Sequence, residues 1–202
     1  MKTRTLYLSA GISYLVIFFS AIFANFFVLE KVAETPLQIV QESPDLIRWG
    51  IMAFMIAALF DIVVAWALKE LYKKHPLTSL STYFRLMHAI MFGLSVFVLL
   101  EILSVSSAAE ATKLLATFNN IWLIGLFFFG LHLILLPFII KLPKFIAFML
   151  PLAGTMYMID TGAHFLMSNY HQYASLFLGI VATTSILGEM GFTLWLLLQK
   201  KK

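Results

Sequence analysis

Ionisable side chains recur inside long apolar runs of this chain. Asp61, His132 and Glu189 lie in three different runs, each about eight to ten residues before the polar residue that ends its run. At about 1.5 Å of rise per residue, this spacing places all three about 12 to 15 Å from one boundary of a lipid bilayer. Carboxylates and an imidazole at one depth are able to bind a polar molecule or to relay protons. We therefore predict a polar central cavity formed by these three residues.

The apolar runs hold five further candidates. Arg85 and His88 stand near the start of the third run, and we expect them at the inner mouth of the cavity. Arg85 is most simply a charge whose long side chain extends to the interface. Alternatively, Asp61 is its partner if the second and third runs pack together. A second, outer polar layer consists of three residues for which we favour structural or solvated roles: Glu101, Asp160 and His164.

Burying such groups is expensive, and two interpretations follow. Translocon scales give about 2.5 to 3.5 kcal/mol for Asp at mid-span, so each group must face the protein interior, pair with another group, or carry a proton. One interpretation is a ligand-binding or proton-relay site. The other is a hydrogen-bond and ion-pair network that specifies which helices are neighbours and binds no ligand.

Local motifs for metal binding or hydrolysis are absent from the chain. It has no Cys, no H-x-x-x-H or H-E-x-x-H pair and no G-x-S-x-G. Such spacings bring metal ligands or a nucleophile together on one helix or turn. We therefore predict no metal site and name no catalytic residue, and the cofactor stays unassigned.

Composition places the chain in a membrane. Of its 202 residues, 61% are hydrophobic and 12% are charged, against about 45 to 50% and 25% in an average soluble domain. The net charge of +4 does not indicate nucleic acid, because the basic residues cluster at the ends of apolar spans, where they contact anionic lipid and set orientation. The lipid bilayer is the partner that composition identifies.

Six runs are long enough to cross the roughly 30 Å of bilayer hydrocarbon as helices. They predict one all-α domain over residues 1–202, a polytopic membrane protein with a six-transmembrane-helix bundle. Residues 30–48, which contain Pro36, Pro44 and four acids, are predicted to be an exposed polar loop. The predicted spans are about 6–29, 49–68, 83–106, 120–140, 145–167 and 173–198.

Lys and Arg residues are distributed unequally between the two sides of this bundle. Eleven of the fourteen fall at the N-terminus, in or beside the loops after the second and fourth spans, and at the C-terminus, including residues 200–202. The positive-inside rule therefore places both termini in the cytoplasm.

A short sequence echo links the first and fifth spans. AGISY at 10–14 and AGTMY at 153–157 share the pattern A-G-x-x-Y. Small residues let helices approach closely, so we interpret the echo as a packing feature.

The order of several segments along the chain resembles a known family of bacterial membrane proteins. The segments are FDIVVAWAL at 60–68, FRLMHA at 84–89, FFGLHLILL at 128–136, PLAGTMYMID at 151–160 and LGEMGFTLWLLL at 187–198. Together they are similar to the family known as domain of unknown function 4386, over essentially the whole chain. The resemblance supports the fold and implies no activity. It implies that five candidates are typical positions of the family: Asp61, Arg85, His132, Asp160 and Glu189.

Three functional hypotheses remain open. The leading one is a small transporter or ligand-binding membrane protein for a small polar or amphipathic molecule, with proton coupling. An alternative is an intramembrane enzyme, metal-dependent or acting by acid–base chemistry on a lipid or isoprenoid. The third is a structural subunit with a membrane-protein partner or a homo-oligomer. All three place the chain in the cytoplasmic (inner) membrane of a bacterium, as a multi-pass protein.

Overall fold

The structure, a computed structural model that describes residues 2–199, contains seven helices and no strand within that range. The lysines at 200–202, which were counted for the positive-inside rule, lie outside the described residues. Six of the helices, all except α2, are long and apolar enough to cross a membrane, so the predicted all-α six-span architecture is confirmed. The helices are α1 (Thr3–Glu34), α2 (Pro36–Glu42), α3 (Pro44–Tyr72), α4 (Thr78–Ile102), α5 (Ala108–Ile139), α6 (Lys144–Leu166) and α7 (Ala174–Leu198).

The six long helices form a ring. Each long helix packs against the next one along the chain, and α7 closes the ring by packing against α1. We call one end of the ring the basic end; it contains Lys2, the α3–α4 and α5–α6 loops, and Gln199. The opposite end contains α2, the α4–α5 loop and the α6–α7 connection, in which Tyr170–Gln172 forms one turn of 3₁₀-helix.

The connection between α1 and α3 is more helical than its composition suggests. Pro36 and Pro44 stand in the first turns of α2 and α3, because proline lacks the N–H that a first helical turn leaves unbonded. The side chain of Ile39 in α2 is buried against the bundle. The prediction of a loop at 30–48 is therefore wrong, since its prolines begin helices, whereas most of its residues are exposed or half-buried.

The start of α5 also lies earlier than the predicted boundary. The side chain of Ser107 caps the helix by accepting a hydrogen bond from the backbone N–H of Glu110 at 3.2 Å. The carboxylate of Glu110 in turn accepts from the N–H of Ser106 at 3.1 Å. The pattern resembles a capping box, with the return bond one residue before the N-cap, and the helix begins at Ala108 instead of the predicted residue 120.

Two apolar clusters fill the ring, one towards each end. The cluster near the basic end combines buried side chains of α1, α3, α5, α6 and α7, including Leu133, Leu150 and Phe192. The buried side chains of the other cluster, around Phe54 and Phe118, come only from α1 to α5. A buried polar layer lies between the two clusters, and α6 and α7 contribute to the apolar core at one end only.

The closest approach of α5 and α6 occurs at two glycines, Gly130 and Gly154. A Cβ atom added to either glycine would overlap the backbone carbonyl oxygen of the other. Backbone atoms on two packed helices cannot move aside as a flexible side chain can. The contact therefore requires glycine at both positions.

We expect Gly154→Ala to destabilise the protein by about 1 to 3 kcal/mol, the usual cost of overpacking a tight contact. Gly162→Ala on the same helix is the matched control, because no atom lies within 4 Å of its added Cβ and alanine favours helix. Thermal unfolding of the purified variants in detergent checks this. Equal unfolding temperatures for the two variants would contradict the close contact.

Candidate functional site

Arg85 of α4 lies at the centre of the polar layer, with only 1% of its surface exposed. Its Nη2 donates to Oδ1 of Asp61 on α3 at 2.5 Å, and its Nη1 donates to the hydroxyl of Tyr14 on α1 at 2.5 Å. The guanidinium carbon stands 4.6 Å from the ring centre of Tyr14 and 5.2 Å from that of Phe129. Opposite charge, hydrogen bonds and aromatic faces therefore replace the water that the guanidinium loses.

His132 of α5 is the third hydrogen-bond acceptor for Arg85. Its Nε2 lies 3.3 Å from Nη1 of Arg85, and because arginine has no acceptor atom, this nitrogen must carry a lone pair. The proton of the imidazole therefore sits on Nδ1, which lies 3.0 Å from the carbonyl oxygen and 2.8 Å from the hydroxyl of Ser81. In this geometry His132 is a neutral ring that orients Arg85 by accepting its hydrogen bond.

His88 lies one helical turn from Arg85 and faces the second oxygen of Asp61. Its Nε2 is 3.4 Å from Oδ2 of Asp61, whereas its Nδ1 is buried without a partner and faces Gly125 on α5. A doubly protonated ring would bury an unpaired N–H there, at a cost of about 1 to 3 kcal/mol or more. The geometry therefore favours a neutral His88 with its proton on Nε2.

The prediction that Arg85 and His88 lie at the inner mouth of the cavity is wrong. The expectation placed the start of the third span at residue 83, whereas α4 begins at Thr78. The extra helical turn carries Arg85 and His88 inwards, and both are buried. The alternative interpretation, in which Asp61 is the partner of Arg85, is confirmed.

Glu189 on α7 belongs to the same layer but has a different environment. It lies in a π-helical stretch, Ile186–Met190, and its side chain is half-buried. Its Oε1 accepts one hydrogen bond, from the hydroxyl of Tyr157 on α6 at 3.0 Å. Among the described residues, 2–199, it forms no salt bridge.

The three residues of the predicted cavity, Asp61, His132 and Glu189, are thus brought together only in part. Asp61 and His132 both contact Arg85, whereas Glu189 contacts Tyr157 and acts on Arg85 and Asp61 only through space. The expected open cavity is also not present at this point, because the guanidinium of Arg85 itself occupies the space between the helices. A cavity of about 10 Å³ lies beside Ser81 and His132, which is enough room for about one water molecule.

The outer polar layer does not form one site. Asp160 accepts a hydrogen bond from the hydroxyl of Tyr170 at 2.7 Å, and desolvation together with this bond raises the pKa of Tyr170, which keeps the hydroxyl protonated. His164 bonds the side-chain oxygen of Asn120 at 2.8 Å, whereas Glu101 is exposed at the end of α4. The favoured structural or solvated roles agree with these separate positions.

The sequence analysis missed two tyrosines that belong to the polar layer. Tyr14 and Tyr157 bond Arg85 and Glu189, and both stand at the last position of the A-G-x-x-Y echo. The small residues of the echo pack as expected, since a Cβ on Gly11 would meet Leu197 and one on Gly154 would meet α5. The echo was therefore a signal for polar residues as well as for packing.

No group of three or more His, Asp or Glu side chains within residues 2–199 is arranged to hold a metal ion. Asp61, His88 and His132 are each turned towards Arg85 or towards one another rather than towards a common point. The chemistry that the layer can perform with its own groups is proton exchange on a carboxyl and hydrogen bonding to a polar molecule.

A comparison with known protein families identifies the family of this chain. Residues 9–199 match the family described as domain of unknown function (DUF4386). The chain belongs to this family. No curated protein and no solved structure matches it. The family membership confirms the resemblance, and function must be argued from the site.

We expect Asp61→Asn and Arg85→Met each to reduce stability by about 3 to 5 kcal/mol, because each leaves the other charge buried without its partner. The double variant should lose clearly less than the sum of the two. Equilibrium unfolding of the four proteins in mixed micelles measures this coupling. Arg48→Met is the matched control, since it breaks an exposed pair with Asp45 on α3 and should have little effect. Strictly additive losses would show that the buried pair is not coupled.

Proposed function

We propose that this protein binds a small amphipathic molecule within the membrane and exchanges it for a proton on Glu189. The observation that carries the proposal is the charge balance of the polar layer. Arg85 is paired with Asp61, and the hydrogen-bond geometry makes His88 and His132 neutral. Glu189 is left without a cation, so a proton or a positively charged ligand must neutralise it.

The surroundings of Glu189 support this assignment. An ionised carboxylate inside the bilayer costs several kcal/mol unless it is compensated, and one hydroxyl from Tyr157 compensates it poorly. The charged groups that act on Glu189 are Arg85, whose charge is already balanced, and Asp61, which repels it. Glu189 therefore binds a proton in the empty protein and releases it when a ligand takes its place, which is the exchange step of a proton-coupled transporter.

The cluster around Arg85 has a supporting role in this proposal. Asp61, His132 and Tyr14 bond both terminal nitrogens of the guanidinium, and its buried Nε has no partner among the described residues. A ligand would have to break an ion pair to enter. We assign this cluster as the fixed part of the site, which holds α1, α3, α4 and α5 in register. Glu189 and Tyr157, on α7 and α6, are the exchangeable part.

A second candidate function is a subunit of a larger membrane complex. The observation that favours it is an open groove on α7 lined by Ser175, Gly179 and Thr183 among others, a spacing of small residues that suits close helix packing. Co-purification of a second membrane protein in fixed stoichiometry would favour this candidate over the first.

The cellular location follows from the same charges that orient the chain. We place the protein in the bacterial cytoplasmic membrane with the basic end in the cytoplasm, by the positive-inside rule. Both termini are then cytoplasmic, and the half-buried Glu189 lies near the middle of the bilayer.

Dicyclohexylcarbodiimide tests the protonated state of Glu189. A protonated carboxyl adds across one C=N bond of this apolar reagent, and the resulting O-acylisourea rearranges to a stable N-acylurea, so the protein gains the mass of one reagent molecule. We expect labelling at Glu189 in membranes, detected by mass spectrometry of peptides, and we expect labelling to fall as the pH is raised because only the protonated form reacts.

Two variants control this experiment. Glu189→Gln should lose the label. Asp160→Asn removes another buried carboxyl that has a tyrosine hydroxyl as partner and should keep the label at Glu189. Asp61 should remain unlabelled, because its ion pair with Arg85 keeps it ionised. The proposal fails if Glu189 is unreactive at every pH in folded protein.

A further inference from the structure

The ring of helices is closed firmly only at the basic end. There, Leu197 of α7 lies against Gly11 of α1, and the ring of Phe192 meets that of Tyr14 edge to face at 5.7 Å. The guanidinium of Arg4 also donates to the backbone carbonyl oxygens of Leu197 and Gln199. A cation at the C-terminal end of α7 is favourable because the last carbonyl groups of a helix carry partial negative charge.

Towards the opposite end, α1 and α7 pack against different neighbours. The distal half of α7, Ala174–Ser185, has no buried residue and packs mainly against α6. In contrast, α1 continues along α3, where Val28 fills the space above Gly50. The apolar cluster at that end is built without α7. Helix α1 and the distal half of α7 therefore diverge towards this end, and we call the lipid-facing gap between them the crevice.

Glu189 lies at the base of this crevice. The stretch Ile186–Met190, in which α7 widens to π-helical geometry, separates the distal half of α7 from the part that packs on α1. Gly188 fixes this stretch against the backbone of Met149 on α6, where an added Cβ would lie 3.1 Å from the carbonyl oxygen. Glu189 contacts Tyr157 of α6 and is half-buried, in contrast to the fully buried Asp61.

Aromatic side chains lie on the helices next to Glu189. Tyr157 donates to Glu189 and packs against Phe129 with 5.7 Å between the ring centres. One helical turn along α7 from Glu189, Phe192 stacks on Trp195 at 5.8 Å. A carboxylate that has no cation attracts an organic cation by opposite charge, and any aromatic face that the cation reaches adds to this attraction.

The geometry points to a lipid-dissolved organic cation as the ligand, entering sideways between α1 and α7 and pairing with Glu189. This inference rests on the proposed exchange at Glu189 and names its ligand class and its route. The positive head replaces the proton on the carboxyl, and the apolar part remains in the crevice beside Ser185, whose hydroxyl lies within reach of Tyr157. Arg85 disfavours cations deeper in the layer, so the ligand stops at Glu189.

Tetraphenylphosphonium is a suitable probe because its charge is permanent and it dissolves in bilayers. In membranes containing the full chain, it should protect Glu189 from dicyclohexylcarbodiimide with saturable dependence on its concentration. Binding should also release protons in a weakly buffered suspension. Uncharged tetraphenylsilane, which has the same four phenyl rings around one tetrahedral atom, should give no protection. Absence of protection by tetraphenylphosphonium, with labelling of Glu189 intact, would overturn the cation inference and leave the proton-binding proposal standing.

Two variants test the route. Ser185→Phe fills the base of the crevice and should weaken protection by tetraphenylphosphonium about tenfold or more, equivalent to at least 1.4 kcal/mol of binding free energy. Ser104→Phe adds the same side chain at an exposed position in the α4–α5 loop, away from the crevice, and should leave protection unchanged. In each variant, labelling of Glu189 that has the same pH dependence as in the unsubstituted protein verifies that the variant is folded. Equal protection in both variants would overturn the lateral route.

Discussion

A guanidinium held away from water in the middle of the bundle is the constraint on which the rest of the structure depends. Arg85 cannot give up its proton, so its charge must be balanced inside the protein. Asp61 supplies the opposite charge, Tyr14 and His132 supply acceptors, and Tyr14 and Phe129 cover the faces of the guanidinium. These partners come from α1, α3 and α5, so satisfying one side chain of α4 determines how four helices are arranged.

The two carboxyl groups of this layer differ because of their neighbours. Asp61 has a cation in direct contact, and it is sealed from lipid and from water. Glu189 has one tyrosine hydroxyl and a partly accessible side chain. Titratable groups in contrasting environments take different roles. One carboxyl is a permanent part of the fold, and the other is free to exchange its counter-charge, which is the basis of the proposed function.

The helices that carry the two parts are also packed to different degrees. The Arg85 cluster is supported from both sides by apolar clusters, whereas α7 joins the buried core only near the basic end. Segments with few buried apolar contacts open at a lower free-energy cost than segments inside a core. The carboxyl for which we propose exchange is therefore on the helix that is least restrained along its distal half, and the ion pair of Arg85 and Asp61 is on helices that are restrained along their whole length.

The sequence by itself determined the membrane class and the six spans, because hydropathy is a local property. It placed Arg85 and His88 too near the interface, because the predicted span began at residue 83 and α4 begins at Thr78. It also indicated the family, which a match over residues 9–199 confirms. Only the tertiary structure decided which way each side chain faces. It buried Arg85 against Asp61, separated Glu189 from both, and brought in Tyr14 and Tyr157. The rotation of a helix about its axis and the order of its neighbours arise from contacts between distant segments, which depth along one span does not encode.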